Sequence, residues 1–267
     1  MNPPATHMKP RTSADLEQRV RAKIRELVSE LQWPIEVRTS EEPVPTITCN
    51  PFRKVHIVHM PECFGPLDAL HEVIHAWLCE RVHPIFGTVV IDGQTDESTL
   101  TLFMQHESLY TCAQDWFVDH WLIHWFPEEY SKTLKAYLRV LKLLLARDPG
   151  ALRTDFNMAC PAGLLFAEVH RAGIEAEVPD QVWDMYDSFR RIDPSRPSAA
   201  AMLELLNSLA DQLPRYGGPQ LVFQLSTDKE IHNLIIREVE TCTVPRSASS
   251  SRSARWKRST HPPSMPA

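Results

Sequence analysis

No apolar run in this chain is long enough to cross a bilayer. Even the stretch from Leu141 to Ala146 is broken by Lys142, whereas a spanning helix needs about 20 residues. CxxC pairs are also missing. The six cysteines, at 49, 63, 79, 112, 160 and 242, are scattered, so neither a cysteine zinc knuckle nor a disulfide framework is suggested. The polar, proline-rich opening carries no apolar signal segment, and together with the unpaired cysteines this points to a reducing, cytoplasmic setting. Basic excess is lacking too. A formal net charge of -6 leaves nothing to draw the whole chain to nucleic acid or an anionic membrane. No internal repeat divides the 267 residues, a length that suits one large domain or two small ones.

What is present reads as α+β. Residues 1–12 have the composition of a disordered leader. Ser13 then caps a helix with Leu16, Val20, Ile24, Leu27 and Leu31 at helical spacing, ended by Pro34. Three short β-like runs follow, at 35–39, 46–49 and 54–60, separated by prolines. The last, with imperfect alternation, reads as an edge strand. Pro66 opens a helix to about Val82. A short strand is expected around Thr88–Ile91, then one long helix from Leu100 to Phe126 and another from Glu128 to Arg147. Further helices are expected at 161–172, 179–191, 198–213 and 227–240. The tail at 244–267 holds Arg246, Arg252, Arg255, Lys257 and Arg258 and no acid, and should be disordered. The organisation expected is a core at 13–127, a helical region at 128–243 and the tail.

The segment Leu70-His71-Glu72-Val73-Ile74-His75 contains H-E-x-x-H. Residues at i and i+4 share a helix face, so both imidazoles can address one metal ion. Glu72, one residue round, can reach a water on that metal without being a ligand. Zinc lowers the pKa of such a water to about 7, and a carboxylate can take its proton. A chance match is expected in about 4% of chains with this His and Glu content, so context has to decide. The motif sits mid-helix, and Leu67, Leu70, Ile74 and Leu78 form an apolar stripe with His71 and His75 along its border. That places the histidines at the rim of a core, where a pocket floor would lie.

A catalytic zinc site needs a third protein ligand. Position 78 is Leu and 81 is Arg, which excludes the metzincin extension. The helix holding Asp115 and Asp119, again i and i+4, is the best source. Trp116, Phe117, Trp121, Leu122 and Trp125 surround these acids, and buried carboxylates need a partner such as a metal. Asp115 ranks first as ligand, then Asp119, then Glu107 and His120. The acid that does not ligate can hold the free N–H of a ligand histidine.

These residues resemble the gluzincin peptidases, which pair an H-E-x-x-H helix with a later helix carrying Glu-x-x-x-Asp. Asp115-Trp-Phe-Val-Asp119 is similar to that second element, with Asp in place of Glu. The minigluzincins and the ImmA/IrrE-type peptidases are similar in layout, and Val118, Trp121 and Pro127 fall near positions of the latter's second motif. The resemblance covers about residues 14–127. It implies a zincin-like core, Zn2+, Glu72 as general base, and a peptide or protein substrate pairing with the edge of the strand at 54–60. The shorter Asp and an insertion at 83–105 depart from the pattern. Tyr110, His124 and Tyr130 are candidate oxyanion donors.

Other features read more plainly. His56 and His59 line the cleft or are solvated strand residues. His120 and His124 repeat the i, i+4 spacing and could form a second metal site. Cys79 and Cys112 suit a core. The rival to a peptidase is a non-catalytic metal-binding or regulatory protein whose helical half, 128–243, binds a protein partner.

Overall fold

The computed structural model describes residues 13–87, 97–225 and 234–239. The expected leader, the strand at 88–91 and the basic tail lie outside them. Helix α1 (Ser13–Glu30) buries Val20 and Leu27 against helix α2 (Pro66–Arg81). Between them lie strands β1 (Ile35–Thr39), β2 (Thr46–Asn50) and β3 (Val55–Met60). β1 runs parallel to β3 and β2 antiparallel to it, in the order β1-β3-β2.

β3 is therefore the central strand, not the edge the sequence suggested. Its residues Val55, His56, Ile57 and Val58 are all buried. A strand covered on both faces loses clean alternation, which is what the imperfect pattern at 54–60 reflected. With partners on both sides, β3 has no free edge for a substrate.

α2 starts at Pro66, with the Asp68 carboxylate accepting the Gly65 N–H at 2.8 Å. Leu70, Ile74 and Leu78 are fully buried along its inner face. A 3-10 turn at Pro84–Phe86 follows. The expected helix from 100 to 126 is two, α3 (Glu97–Gln105) and α4 (Glu107–Trp125), because His106 leaves helical geometry (ψ 23). Pro127 then opens α5 (Pro127–Arg147), since proline suits the first helical position.

The remainder is α6 (Ala151–Thr154), α7 (Phe156–Arg171), α8 (Trp183–Arg191), α9 (Ala199–Ala210) and a hairpin of β4 (Leu221–Leu225) and β5 (Leu234–Glu238). α7 begins five residues earlier than the sequence suggested. Asp155 accepts from the Asn157 N–H and caps it, so Pro161 lies inside the helix. The helix expected at 227–240 is contradicted where it is described. Leu234-Ile235-Ile236 pairs with Leu225-Gln224-Phe223 as strand, cross-strand packing having overridden local spacing.

One apolar core joins α1, α2, α4, α5, α7, α8 and α9, from Val20 through Leu70, Phe117, Leu134, Phe166 and Leu206. The regions before and after residue 127 thus share a core. No described helix is long and apolar enough to cross a membrane.

Candidate metal centre

α2 and α4 pack face to face, and their facing residues bring three ligand atoms together. His71 Nε2 and His75 Nε2 lie 3.1 Å apart. Asp115 Oδ1 is 3.4 Å from each. These three residues form a group that could hold a metal ion. A tetrahedral ion with ligands at about 2.0–2.1 Å needs neighbouring ligand atoms about 3.3–3.4 Å apart, so the triangle is of the right size.

The opposite ring nitrogens are tied down. His71 Nδ1 lies 3.0 Å from Asp119 Oδ1, and His75 Nδ1 lies 3.0 Å from the Phe86 carbonyl oxygen. A carbonyl has no proton to give, so His75 donates from Nδ1. The Asp119 carboxylate likewise draws the Nδ1 proton of His71. A neutral imidazole has one N–H, so both Nε2 atoms carry lone pairs directed at the same space as the Asp115 carboxylate. Three electron-rich atoms at such distances repel unless a cation lies among them. A proton can serve in the metal-free protein. Burial alone would lower the pKa of His71, but Asp119 and Asp115 outweigh it and hold it well above the ordinary histidine value. Burial would raise the Asp115 carboxyl, and hydrogen bonds from His71 and His75 more than offset that and lower it.

Glu72 is 8% exposed and lines the cleft beside His71 and Asp115. Burial raises its pKa, against the lowering effect of His71 and His75. A carboxylate made more basic in this way is suited to accepting a proton.

Comparison with family models, with curated proteins and with solved structures returns no match. The chemistry of the site therefore rests on its own geometry.

Of the ligand candidates read from the sequence, His71, His75 and Asp115 converge. Asp119 instead contacts the far nitrogen of His71. Glu107 lines the cleft two turns from Asp115. His120 faces elsewhere: its Nδ1 accepts from Arg171 Nε at 3.0 Å and its ring stacks on His124. Burial, Arg171 and His124 lower its pKa to about 4. Among the described residues, His120 and His124 belong to no metal-binding group.

Several residues escaped the sequence reading. The Phe86 carbonyl is backbone and leaves no signature. Its position is enforced by Gln114, whose Nε2 donates to the Ile85 oxygen at 3.0 Å and to the Gly87 oxygen, and by Tyr110, whose hydroxyl lies 2.7 Å and 3.0 Å from the same two oxygens. Gly87 makes this approach possible. A Cβ there would lie 2.4 Å from Cys49 Cβ and 2.8 Å from its Sγ. The start of the expected insertion thus closes the back of the site.

Glu168, from α7, is 4% exposed. Burial and the neighbouring Asp119 push its pKa well up, which favours the protonated form, the one able to donate to Asp119. An acid amid the apolar Leu164, Leu165, Phe166 and Val169 was the available signal. His56 is fully buried, stacked on Trp33 with Nε2 2.8 Å from Glu80 Oε1. It is a core residue and neither cleft-lining nor solvated. Cys79 and Cys112 are buried as expected, and Cys49, Cys63 and Cys160 are likewise thiols.

The cleft has two lobes that share Val44, Pro45, His71, Glu72 and Asp115. One, of about 370 Å³, is lined by Leu67, Asp68, Leu122, Tyr130 and Tyr137 among others. The second, of about 470 Å³, includes Thr46, Thr48, Glu107, Thr111 and Gln114. Of the oxyanion candidates, the Tyr110 hydroxyl is engaged with main-chain oxygens, and His124 is exposed beside His120 and outside both lobes. Tyr130 lines the first lobe, as does Tyr137, which the sequence did not single out.

Proposed function

We propose that this protein is a zinc-dependent peptidase with a gluzincin-like, zincin-type core, in which His71, His75 and Asp115 hold the metal and Glu72 is the general base. The observation that carries this reading is the convergence of three lone-pair donors whose outer nitrogens are already committed to Asp119 and Phe86. Carboxylate and carbonyl partners on the far side of ligand histidines are the usual supports of zinc sites. Two histidines and one carboxylate are a known catalytic zinc set, which leaves a position for water. Zinc supplies there a Lewis acid and a water of lowered pKa.

The chain's own residues do the rest. Glu72 takes a proton from the attacking water as its oxygen bonds to the carbonyl carbon. It then passes that proton to the leaving nitrogen as the C–N bond breaks, yielding an amine and a carboxylic acid, whose remaining proton is then lost to the amine or to solvent. Asp119 holds His71 in the tautomer that offers Nε2. The base itself separates this reading from a structural zinc site, which closes with four protein ligands and needs no proton acceptor.

Elemental analysis after exhaustive dialysis tests the ligand set. One zinc per chain in the wild type, lost in His75→Ala and in Asp115→Ala, is expected. Absence of zinc from the wild type, even after zinc is added back, would rule the proposal out.

A further inference from the structure

Resting on the peptidase reading above, we infer that the substrate is an internal stretch of polypeptide carrying basic side chains near the bond cut, and not a chain terminus.

Shape is the first observation. The two lobes share His71, Glu72 and Asp115, one being lined further along α4 by Asp119 and Leu122 and the other by Thr111 and Gln114, and they hold about 370 and 470 Å³. Each falls in the range of about 300–1,000 Å³ that accommodates a whole small ligand. An enzyme that removes terminal residues needs a blind wall on one side, within about a residue of the reacting carbonyl. Here the two lobes share Val44, Pro45, His71, Glu72 and Asp115, so space for a peptide adjoins the reacting group in both lobes.

Charge is the second. Binding a terminal carboxylate calls for an Arg or Lys placed to receive it. The described residues lining the two lobes include neither. The acids of the centre, Glu72, Asp115 and Asp119, lie beside His71 and His75, and a metal held there would offset them with a charge of +2. Asp68 in one lobe and Glu107 in the other are exposed, and the described residues lining those lobes include no Lys or Arg. A cleft negative at both ends attracts cationic segments and repels acidic ones.

The polar lining fits an extended chain. Thr46, Thr48, Thr111 and Gln114 line one lobe, and Tyr130, Thr133 and Tyr137 the other. Each lobe therefore offers hydrogen-bonding groups to a peptide backbone as well as apolar surface.

The test uses full-length protein whose zinc loading has been checked by elemental analysis. Internally quenched peptides of one length are prepared with Lys, citrulline or Glu on both sides of the central bond. Each is made with free ends and with acetylated and amidated ends. The expected result is internal cleavage of the capped Lys peptide. Its kcat/KM should exceed that of the citrulline peptide by about fivefold, the scale of exposed charge pairs, with the Glu peptide slowest. Glu107→Gln should narrow the gap, and so should 0.5 M salt. Cleavage confined to free-ended peptides overturns the inference and leaves the peptidase reading standing. Equal rates on capped Lys, citrulline and Glu peptides overturn the basic preference. If the zinc-loaded protein hydrolyses none of these peptides, and does not cleave denatured histone, the peptidase reading fails as well.

Discussion

Asp119 Oδ1 lies 3.0 Å from His71 Nδ1, on the side of the ring away from the nitrogen that faces His75 and Asp115. One turn earlier on the same helix, Asp115 faces both Nε2 atoms. The two acids of the D-x-x-x-D element therefore contact different nitrogens, and on the proposed function they do different work. Asp115→Ala should abolish tight zinc binding. Asp119→Ala should leave a site that binds zinc about 10- to 100-fold more weakly, the usual cost of losing such a support. Competition with a chelating dye measures both. Equal losses in the two variants would contradict this division of labour.

Glu72 is not part of the ligand triangle. Glu72→Gln is expected to keep one zinc per chain and to lower kcat by at least about 100-fold. A variant that loses its metal would show instead that Glu72 ligates.

Glu168 is a buried acid whose folded-state pKa is raised by burial and by Asp119. Its stabilising contribution is complete below the unfolded pKa of about 4.3 and falls as pH rises toward the folded value. Glu168→Gln keeps a donor for Asp119 without the cost of ionisation. Thermal unfolding of the metal-free protein should give a higher Tm for the variant than for the wild type at pH 8, and little or no advantage at pH 4. Each kcal/mol is worth about 2–4 °C.

His120 titrates the other way. Its pKa is lowered to about 4 by burial, Arg171 and His124. The stability tied to its neutral form is present above the unfolded value of about 6.5 and is lost as pH falls toward 4. Discounted for its partial exposure, this amounts to about 1–2 kcal/mol. His120→Gln should flatten the decline in unfolding free energy between pH 6.5 and 4.5, as read by urea titration.

Gly87 is held against Cys49 at a spacing that admits no Cβ. Gly87→Ala should destabilise the fold by about 1–3 kcal/mol, the usual range for overpacking. It should also weaken zinc binding, because the displaced loop carries the Phe86 carbonyl that orients His75. Denaturant unfolding and the same dye competition measure the two effects separately.

What the sequence determined by itself is local and periodic. H-E-x-x-H at helical spacing puts two imidazoles on one side of α2, and D-x-x-x-D does the same for two carboxylates on α4, because i and i+4 face one way on any α-helix. Prolines 34, 66 and 127 mark element ends for a reason equally local, namely a fixed φ and a missing N–H. Tertiary structure decided the remainder. Which acid meets Nε2 and which meets Nδ1 depends on the rotation of α4 against α2, and two Asp one turn apart are alike until that packing is set. Strand order is also non-local: β3 pairs with β1 along one edge and with β2 along the other, whereas the sequence at 54–60 alone suggested an edge. At 234–238 the spacing suited a helix, but the segment pairs with β4 as a strand, and that partner is not visible in local spacing. Phe86 and Glu168 act on the site through a main-chain oxygen and a buried acid brought from 11 residues away from His75 and from a helix beyond residue 127. Their roles exist only once the shared core has drawn those segments together.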